Sequence, residues 1–189
     1  MLSVIVQTGG AEGPAVATLA ALVPGAATGV ICEVLLVDRI GASAIERVAD
    51  IAGCRFLAFD GSRAAALAAA ARQARSPWLM FLHAGAVLES GWIEETTLFI
   101  QRVSGSERQR AGIFRYARSP YAEAGFREHL KWIGRMIAGP WADQGLVISR
   151  AHYERLGGHA ADARRSEAKL LRQLGRSSLT MLRSRIIVA

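Results

Sequence analysis

The residue types best suited to binding a ligand in this sequence stand at the ends of apolar runs. Thr8, Asp38 and His83 each close a run of mainly apolar residues. A carboxylate at such a place can accept hydrogen bonds from a nucleobase or a ribose, or it can cap the helix that follows, and the residues alone leave both roles open for Asp38. A histidine there can bind a metal or simply be hydrogen-bonded. Gly9 and Gly10 would let the backbone approach a ligand closely.

The elements that must position these residues alternate between strand and helix through the first half of the chain. We predict strands at 2–8, 30–37, 55–59 and 78–83 and helices at 14–23, 42–52 and 62–75. Such alternation is typical of a parallel sheet covered by helices on both faces. Ligands of these sheets bind beyond the carboxyl ends of the strands. We therefore expect Asp38 and His83 at one edge of a Rossmann-like sheet, facing one cleft.

The second half of the sequence is less regular. It contains no internal repeat, linker or break in composition, so we expect a single domain over residues 1–189. We predict strands at 112–116 and 145–149, a polar loop at 104–110, and helices at 92–103, 121–137, 151–156 and 167–174.

Composition and missing motifs exclude several classes of protein. No G-x-G-x-x-G follows the first strand and no G-x-x-x-x-G-K-[ST] is present, which argues against a dinucleotide cofactor and a P-loop. The net charge of +7 is carried almost entirely by arginine, which suits phosphate groups or anionic lipid and is equally common on a solvated surface. No basic tail marks a nucleic-acid binder.

The two cysteines, Cys32 and Cys54, lack the spacing of a zinc site or a disulfide framework. We therefore expect a reducing, cytoplasmic environment, and we expect no signal peptide in the apolar opening. The uncharged stretch at 15–32 is interrupted by Pro24 and Gly25, which predicts a helix and a turn rather than a membrane span.

Several segments, in this order, resemble the family 2 glycosyltransferases. They are L-S-V-I-V-Q-T at the start, E-V-L-L-V-D at 33–38, S-R-A-A-A-L-A-A-A-A at 62–71, P-W-L-M-F-L-H-A at 77–84, W-A-D-Q-G-L-V-I-S-R-A-H-Y-E-R-L-G-G at 141–158 and S-E-A-K-L-L-R-Q-L-G-R at 166–176. The match is to the short bacterial branch whose fourth strand ends in F-L-H-A-D-T, and it covers nearly the whole chain. The resemblance implies an α/β fold of the GT-A type.

It also implies a ligand, a nucleoside diphosphate sugar that is usually UDP-linked, with Mg²⁺ or Mn²⁺ bridging the pyrophosphate. By this resemblance Thr8 and Asp38 lie against the base and ribose, and Arg63 lies near the diphosphate. The remaining matching positions are His83, the Asp143 and Gln144 of the D-Q-G block, and Glu167 as the base that takes the acceptor's proton.

This chain departs from the pattern at its acidic positions. Gly85 stands where the branch has the metal-binding aspartate of H-A-D-T, and glycine has no ligand atom. The later Glu-Asp pair reads Ser166-Glu167, which keeps one carboxylate. The departures argue against the metal and weaken the case for catalysis.

Three hypotheses follow. The chain is an active transferase that uses arginines such as Arg63, Arg164 and Arg165 in place of a metal; or it is a degenerate relative that binds a nucleotide or a partner protein; or it is a basic membrane or nucleic-acid binder on the same scaffold. The basic residues and Trp132 of the segment 126–137 suit the surface of an anionic membrane, but the pattern favours a helix packed on the sheet with a solvated basic face.

Overall fold

The structure, a computed structural model, describes residues 1–117, 144–160 and 166–188. The strands are β1 (Leu2–Gln7), β2 (Ile31–Asp38), β3 (Arg55–Ala58), β4 (Trp78–His83), β5 (Ala86–Leu88), β6 (Ala111–Ala117), β7 (Leu146–Ser149) and β8 (Leu179–Val188). The helices are α1 (Glu12–Ala27), α2 (Ser43–Ala52), α3 (Arg63–Gln73), α4 (Trp92–Ser104), α5 (Arg150–Arg155) and α6 (Ser166–Ser178).

The strands form one mixed sheet in the order β3-β2-β1-β4-β7-β6-β8-β5. The first four strands in this order are parallel, and β7 is antiparallel to both β4 and β6. Strand β8 is parallel to β6 and antiparallel to β5. The chain moves outward from β1 to β3 and then returns to place β4 on the other side of β1, which creates the reversal of strand order where such sheets bind ligands. The predicted α/β fold with a mostly parallel sheet is confirmed.

Each face of the sheet carries its own apolar cluster, because successive side chains of a strand point to opposite faces. Helices α1, α2 and α4 cover the first face, and α3 and α6 cover the second. The first cluster includes Val4, Val6, Leu36, Met80, Leu82 and Trp92, and the second includes Ile5, Leu35, Val37, Leu79, Phe81, Leu67 and Leu170. All these side chains are at most 7% exposed.

Helix α3, whose first residue is Arg63, is fixed at both ends. Alanine favours the helical backbone, and the Ser62 hydroxyl accepts a hydrogen bond from the Ala65 amide at the start. At the other end the Arg150 guanidinium donates to the carbonyl oxygens of Ala71, Ala74 and Ser76, which satisfies groups that a helix end leaves unpaired.

Three features differ from the sequence predictions. Helix α1 continues through Pro24 to Ala27 instead of ending at residue 23, and strands β5 and β8 were not predicted. The helix predicted at 167–174 agrees with α6, in which Gly175 is non-helical and is followed by one further turn. The helix predicted at 121–137, which includes the basic segment 126–137, lies outside the described residues.

Candidate functional site

The carboxyl ends of β1, β2 and β4 lie side by side. Gln7, the last residue of β1, pairs with Val37 on one side and with His83 on the other. Asp38 and His83 therefore end the two strands that flank β1, at the same edge of the sheet, as predicted.

The Asp38 side chain is hydrogen-bonded to the segments that follow β1 and β2. It is fully buried, and its carboxylate accepts hydrogen bonds from the Thr8 hydroxyl (2.6 Å) and the Ala42 amide (2.9 Å). Burial by itself raises the pKa of Asp38, but the hydrogen bonds from Thr8 and from the amides of Ala42, Ile40 and Gly10 outweigh it and lower the pKa. The pair Thr8–Asp38 thus holds the loops after β1 and β2 together around an ionised carboxylate.

Asp38 and His83 share an edge of the sheet but not a face. Residues two apart in a strand point to the same face of the sheet. Asp38 therefore points to the first face, as Leu36 does, whereas His83 points to the second face, as Phe81 does. The two side chains thus point to opposite faces of the sheet and not into one cleft, as was expected. The candidate residues therefore form two groups at one edge.

The second group consists of Arg63, His83 and Glu167. Arg63 begins α3, His83 ends β4 and Glu167 lies in the first turn of α6. The Nη2 atom of Arg63 lies 2.8 Å from Oε1 of Glu167 and 2.8 Å from each ring nitrogen of His83, and Nε2 of His83 lies 3.3 Å from the same Oε1. Which ring nitrogen of His83 donates and which accepts depends on its tautomer.

Glu167 is held as an anion within this group. Its side chain is 19% exposed and that of Arg63 is 39% exposed. Burial raises the pKa of Glu167, but the hydrogen bond from His83 and the charge of Arg63 are among the contacts that lower it below its ordinary value. The carboxylate is thus in the protonation state of a base, but its charge is already paired.

A buried histidine that was not predicted from the sequence, His159, lines the same small cavity as Glu167. His159 is 4% exposed, and Nδ1 lies 2.8 Å from the Tyr153 hydroxyl, which in turn accepts from the His159 amide. Burial lowers the pKa of His159 to about 4, although the Glu167 carboxylate opposes the shift. The same burial raises the pKa of Tyr153 to about 12. The pair is neutral at neutral pH.

Gly158 makes this pair possible. Its φ is +62°, and a Cβ atom there would lie 2.8 Å from the Tyr153 ring, closer than carbon atoms approach. The Gly157-Gly158 pair is therefore the sequence feature from which a buried His159 could have been predicted. Two glycines before a histidine indicate a tight turn that fixes the position of the histidine.

A small cavity lies between the His83–Glu167 pair and His159. It measures about 20 Å³ and is lined by Phe81, His83, Gly145, His159 and Glu167 among others, which is room for one water molecule. Gln144 comes directly before Gly145 of this lining in the sequence, but its side-chain amide donates to the Phe114 carbonyl of β6 at 3.3 Å. Asp143 lies outside the described residues.

A larger groove of about 670 Å³ lies elsewhere, between α4 and β8. Leu98 and Met181 are exposed there, and its arginines include Arg102 and Arg183. It is lined by α4 and β8 and not by the ends of β1, β2 and β4, and its Glu95 carboxylate already accepts hydrogen bonds from the amides of Arg183 and Ser184 and from the Ser184 hydroxyl. The edge of the sheet is therefore the better candidate site.

The described residues at the site do not fit a divalent metal. Gly85 contributes no side-chain ligand, and its amide donates to the Pro14 carbonyl and the Thr18 hydroxyl, both at 2.9 Å. Among the described residues no three His, Cys, Asp or Glu side chains converge as a metal cluster. His83 and Glu167 both contact the Arg63 cation, which repels a second cation.

Comparison with solved structures defines the fold class. Over its whole length the chain matches glucosyl-3-phosphoglycerate synthase from Mycobacterium tuberculosis, solved with Mn²⁺, UDP and glucosyl-3-phosphoglycerate (16% identity, TM-score 0.65, 70% of that chain). It likewise matches a mannosyltransferase from Pyrobaculum calidifontis, solved with GDP-Man and Mn²⁺ (17%, 0.66, 56% of that chain), and TarS from S. aureus, also solved with UDP (12%, 0.66, 60% of that chain).

The fold is therefore that of the GT-A nucleotide-sugar transferases, as the resemblance implied. The chain spans between about half and seven tenths of the length of these three neighbours. No known protein family profile matches it, and no curated protein matches it in sequence. The described helices include none with the length and apolar character needed to cross a membrane.

Proposed function

We propose that the chain binds a nucleoside diphosphate sugar at the carboxyl edge of β1, β2 and β4 and transfers the sugar to an acceptor. The observation that carries this proposal is the Arg63–His83–Glu167 group, a cation and a carboxylate at the strand ends of a fold whose solved neighbours hold UDP or GDP-Man. The base and ribose would lie beside the Thr8–Asp38 loops. The diphosphate would lie beside Arg63, with His83 on the sugar side.

The chemistry requires two groups, and the site has candidates for both. When the bond between the sugar and the diphosphate breaks, the diphosphate leaves with added negative charge, which a guanidinium can stabilise. The acceptor hydroxyl forms the new bond to the sugar and must lose its proton to a base. Glu167 is that base in our proposal, because it is ionised and partly open to solvent.

A second candidate function is binding without catalysis. The missing side-chain ligand at Gly85 and the pairing of the Glu167 charge with Arg63 favour it. In this case the same edge would hold the nucleotide, and no sugar would be transferred. The two candidates share a ligand and differ only in turnover.

A thermal-shift screen against UDP, GDP and their sugars, each with and without Mn²⁺, tests both candidates. A ligand that binds the native state raises the melting temperature by mass action. Transfer and donor-hydrolysis assays with the ligands that shift the melting temperature then separate the enzyme from the binder. If no nucleotide shifts the melting temperature in either metal condition, both candidates are wrong.

A further inference from the structure

The Arg63 guanidinium lies between the His83 ring and the Glu167 carboxylate. One nitrogen atom, Nη2, contacts both ring nitrogens of His83 and the Glu167 carboxylate, each at 2.8 Å. Both of these side chains, at and beside the end of β4, could otherwise ligate a metal. The cation at the centre of the group is thus part of the chain itself.

We propose that Arg63 binds the donor's diphosphate in place of a divalent metal, and that in the free protein Glu167 occupies the position that the diphosphate oxygens take. This inference rests on the proposed function, since it names the groups that recognise the donor. It makes diphosphate binding independent of metal and makes Glu167 a competitor for the same guanidinium.

Three observations support an exchange of partners at Arg63. The side chain is 39% exposed, so an incoming anion can reach it. Its Nε atom is buried without a hydrogen-bond partner among the described residues, and an unpaired buried donor favours rearrangement. Arg63 also begins the 11-residue helix α3, whose N-terminal dipole adds to the attraction of an anion there.

A divalent metal would gain little at this position. A cation between His83 and Glu167 would lie within a few ångströms of the guanidinium, and the repulsion between like charges at that distance opposes binding. Gly85 adds no carboxylate to offset it. Metal is therefore neither required nor well held while Arg63 remains in the group.

The exchange also changes Glu167. When the diphosphate pairs with Arg63, the Glu167 carboxylate loses a cation that lowers its pKa. A carboxylate with a higher pKa is a stronger base. Donor binding would thus free and activate the group that takes the acceptor's proton, so that the base is available only when the donor is present.

Calorimetry with UDP, GDP and inorganic pyrophosphate, each in EDTA and in Mn²⁺, tests the inference. We expect equal affinities in the two conditions for the parent chain. Glu167→Gln should bind the same probes about three- to tenfold more tightly, since a competing charge is removed. Arg63→Gln should weaken binding by about tenfold or more. Glu89→Gln removes the charge of another arginine-paired carboxylate, 4.0 Å from Arg185, and should change nothing.

Each outcome decides the inference. Binding only in Mn²⁺ overturns it and leaves the proposed function standing, whereas no binding in either condition overturns both. Equal or weaker binding by a folded Glu167→Gln variant disproves the competition. If that variant does not fold, the salt dependence of pyrophosphate binding to the parent serves instead: affinity that does not fall as salt rises overturns the inference, because charge exchange at Arg63 must be screened.

Discussion

Arg63 and Glu167 are 104 positions apart in the sequence and form an ion pair of 2.8 Å. The pair joins the start of α3 to the start of α6 across the end of β4, so the first half of the chain supplies the cation of the site and the second half supplies the anion. The strength of this pair determines how available each partner is to a ligand.

The first prediction concerns turnover. Glu167→Gln should reduce sugar transfer by about a hundredfold to ten-thousandfold, which is the usual loss when a general base is removed. A steady-state transfer assay at saturating donor measures the change.

The control for turnover is Glu94→Gln. Glu94 also lies in the first turn of a helix, α4, but is exposed and lines the groove between α4 and β8. It should keep the parent rate. Equal rates in both variants would remove Glu167 from the mechanism and leave it a residue that stabilises a helix N-terminus.

The second prediction concerns the missing metal ligand. Gly85→Asp should make UDP binding stronger in Mn²⁺, because it restores a carboxylate at the end of β4, whereas Gly85→Asn, of nearly equal shape and uncharged, should not. Both variants should lose about 1–3 kcal/mol of stability, because the φ of Gly85 is +93°, a region that side chains disfavour.

Calorimetry with and without Mn²⁺ and chemical denaturation of the two Gly85 variants separate these effects. A gain in Mn²⁺ dependence shared by both variants would show that the carboxylate is not its cause.

The third prediction concerns pH. The pKa of His159 is about 4 in the folded chain and about 6.5 when unfolded, so the unfolded state binds the extra proton first. The resulting stability is present above pH 6.5 and is lost as the pH falls toward 4. Between pH 7 and pH 5 the loss should be about 2 kcal/mol.

Urea denaturation at several pH values measures this loss, and His159→Gln should remove most of it. The lowered pKa of Glu167 acts in the same direction only below about pH 4.5, while His152, whose pKa burial also lowers, adds a part that remains in the variant. An unchanged pH dependence in His159→Gln would show that His159 is not buried as a neutral base.

The fourth prediction compares two adjacent glycines. Gly157→Ala should cost about 1–2 kcal/mol for its positive φ alone, because nothing lies within 4 Å of the added carbon. Gly158→Ala has the same backbone penalty and also contacts the Tyr153 ring at 2.8 Å, so it should cost about 1–3 kcal/mol more. Melting temperatures of the two variants measure the difference, and equal losses would contradict the packing of Tyr153 against Gly158.

Most of the β1–β4 half could be predicted from the sequence, because apolar runs and helical patterns alternate there without interruption. Helix α1 was predicted too short, since proline at position 24 was expected to end it. Strand β8 was missed because it follows α6 at once, with no turn residue between Ser178 and Leu179. Strand β5 has three residues, too few for a periodic pattern to be recognised.

The candidate site was predicted only in part. Strand ends and the family resemblance indicated Thr8, Asp38, Arg63, His83 and Glu167. Their division into two groups depends on the face of the sheet to which each side chain points. The partner of Arg63 could not be inferred either, since the contact joins distant segments. No local pattern distinguishes such a pair from two solvated charges.

The place of β8 between β6 and β5 has a consequence for how the chain folds. In the described sheet β5 pairs with β8 alone, about a hundred residues later in the sequence. Pairings at such separation form slowly, because a long loop must close before any contact stabilises it. Until β8 arrives, one side of β6 is an open strand edge that invites association with other chains.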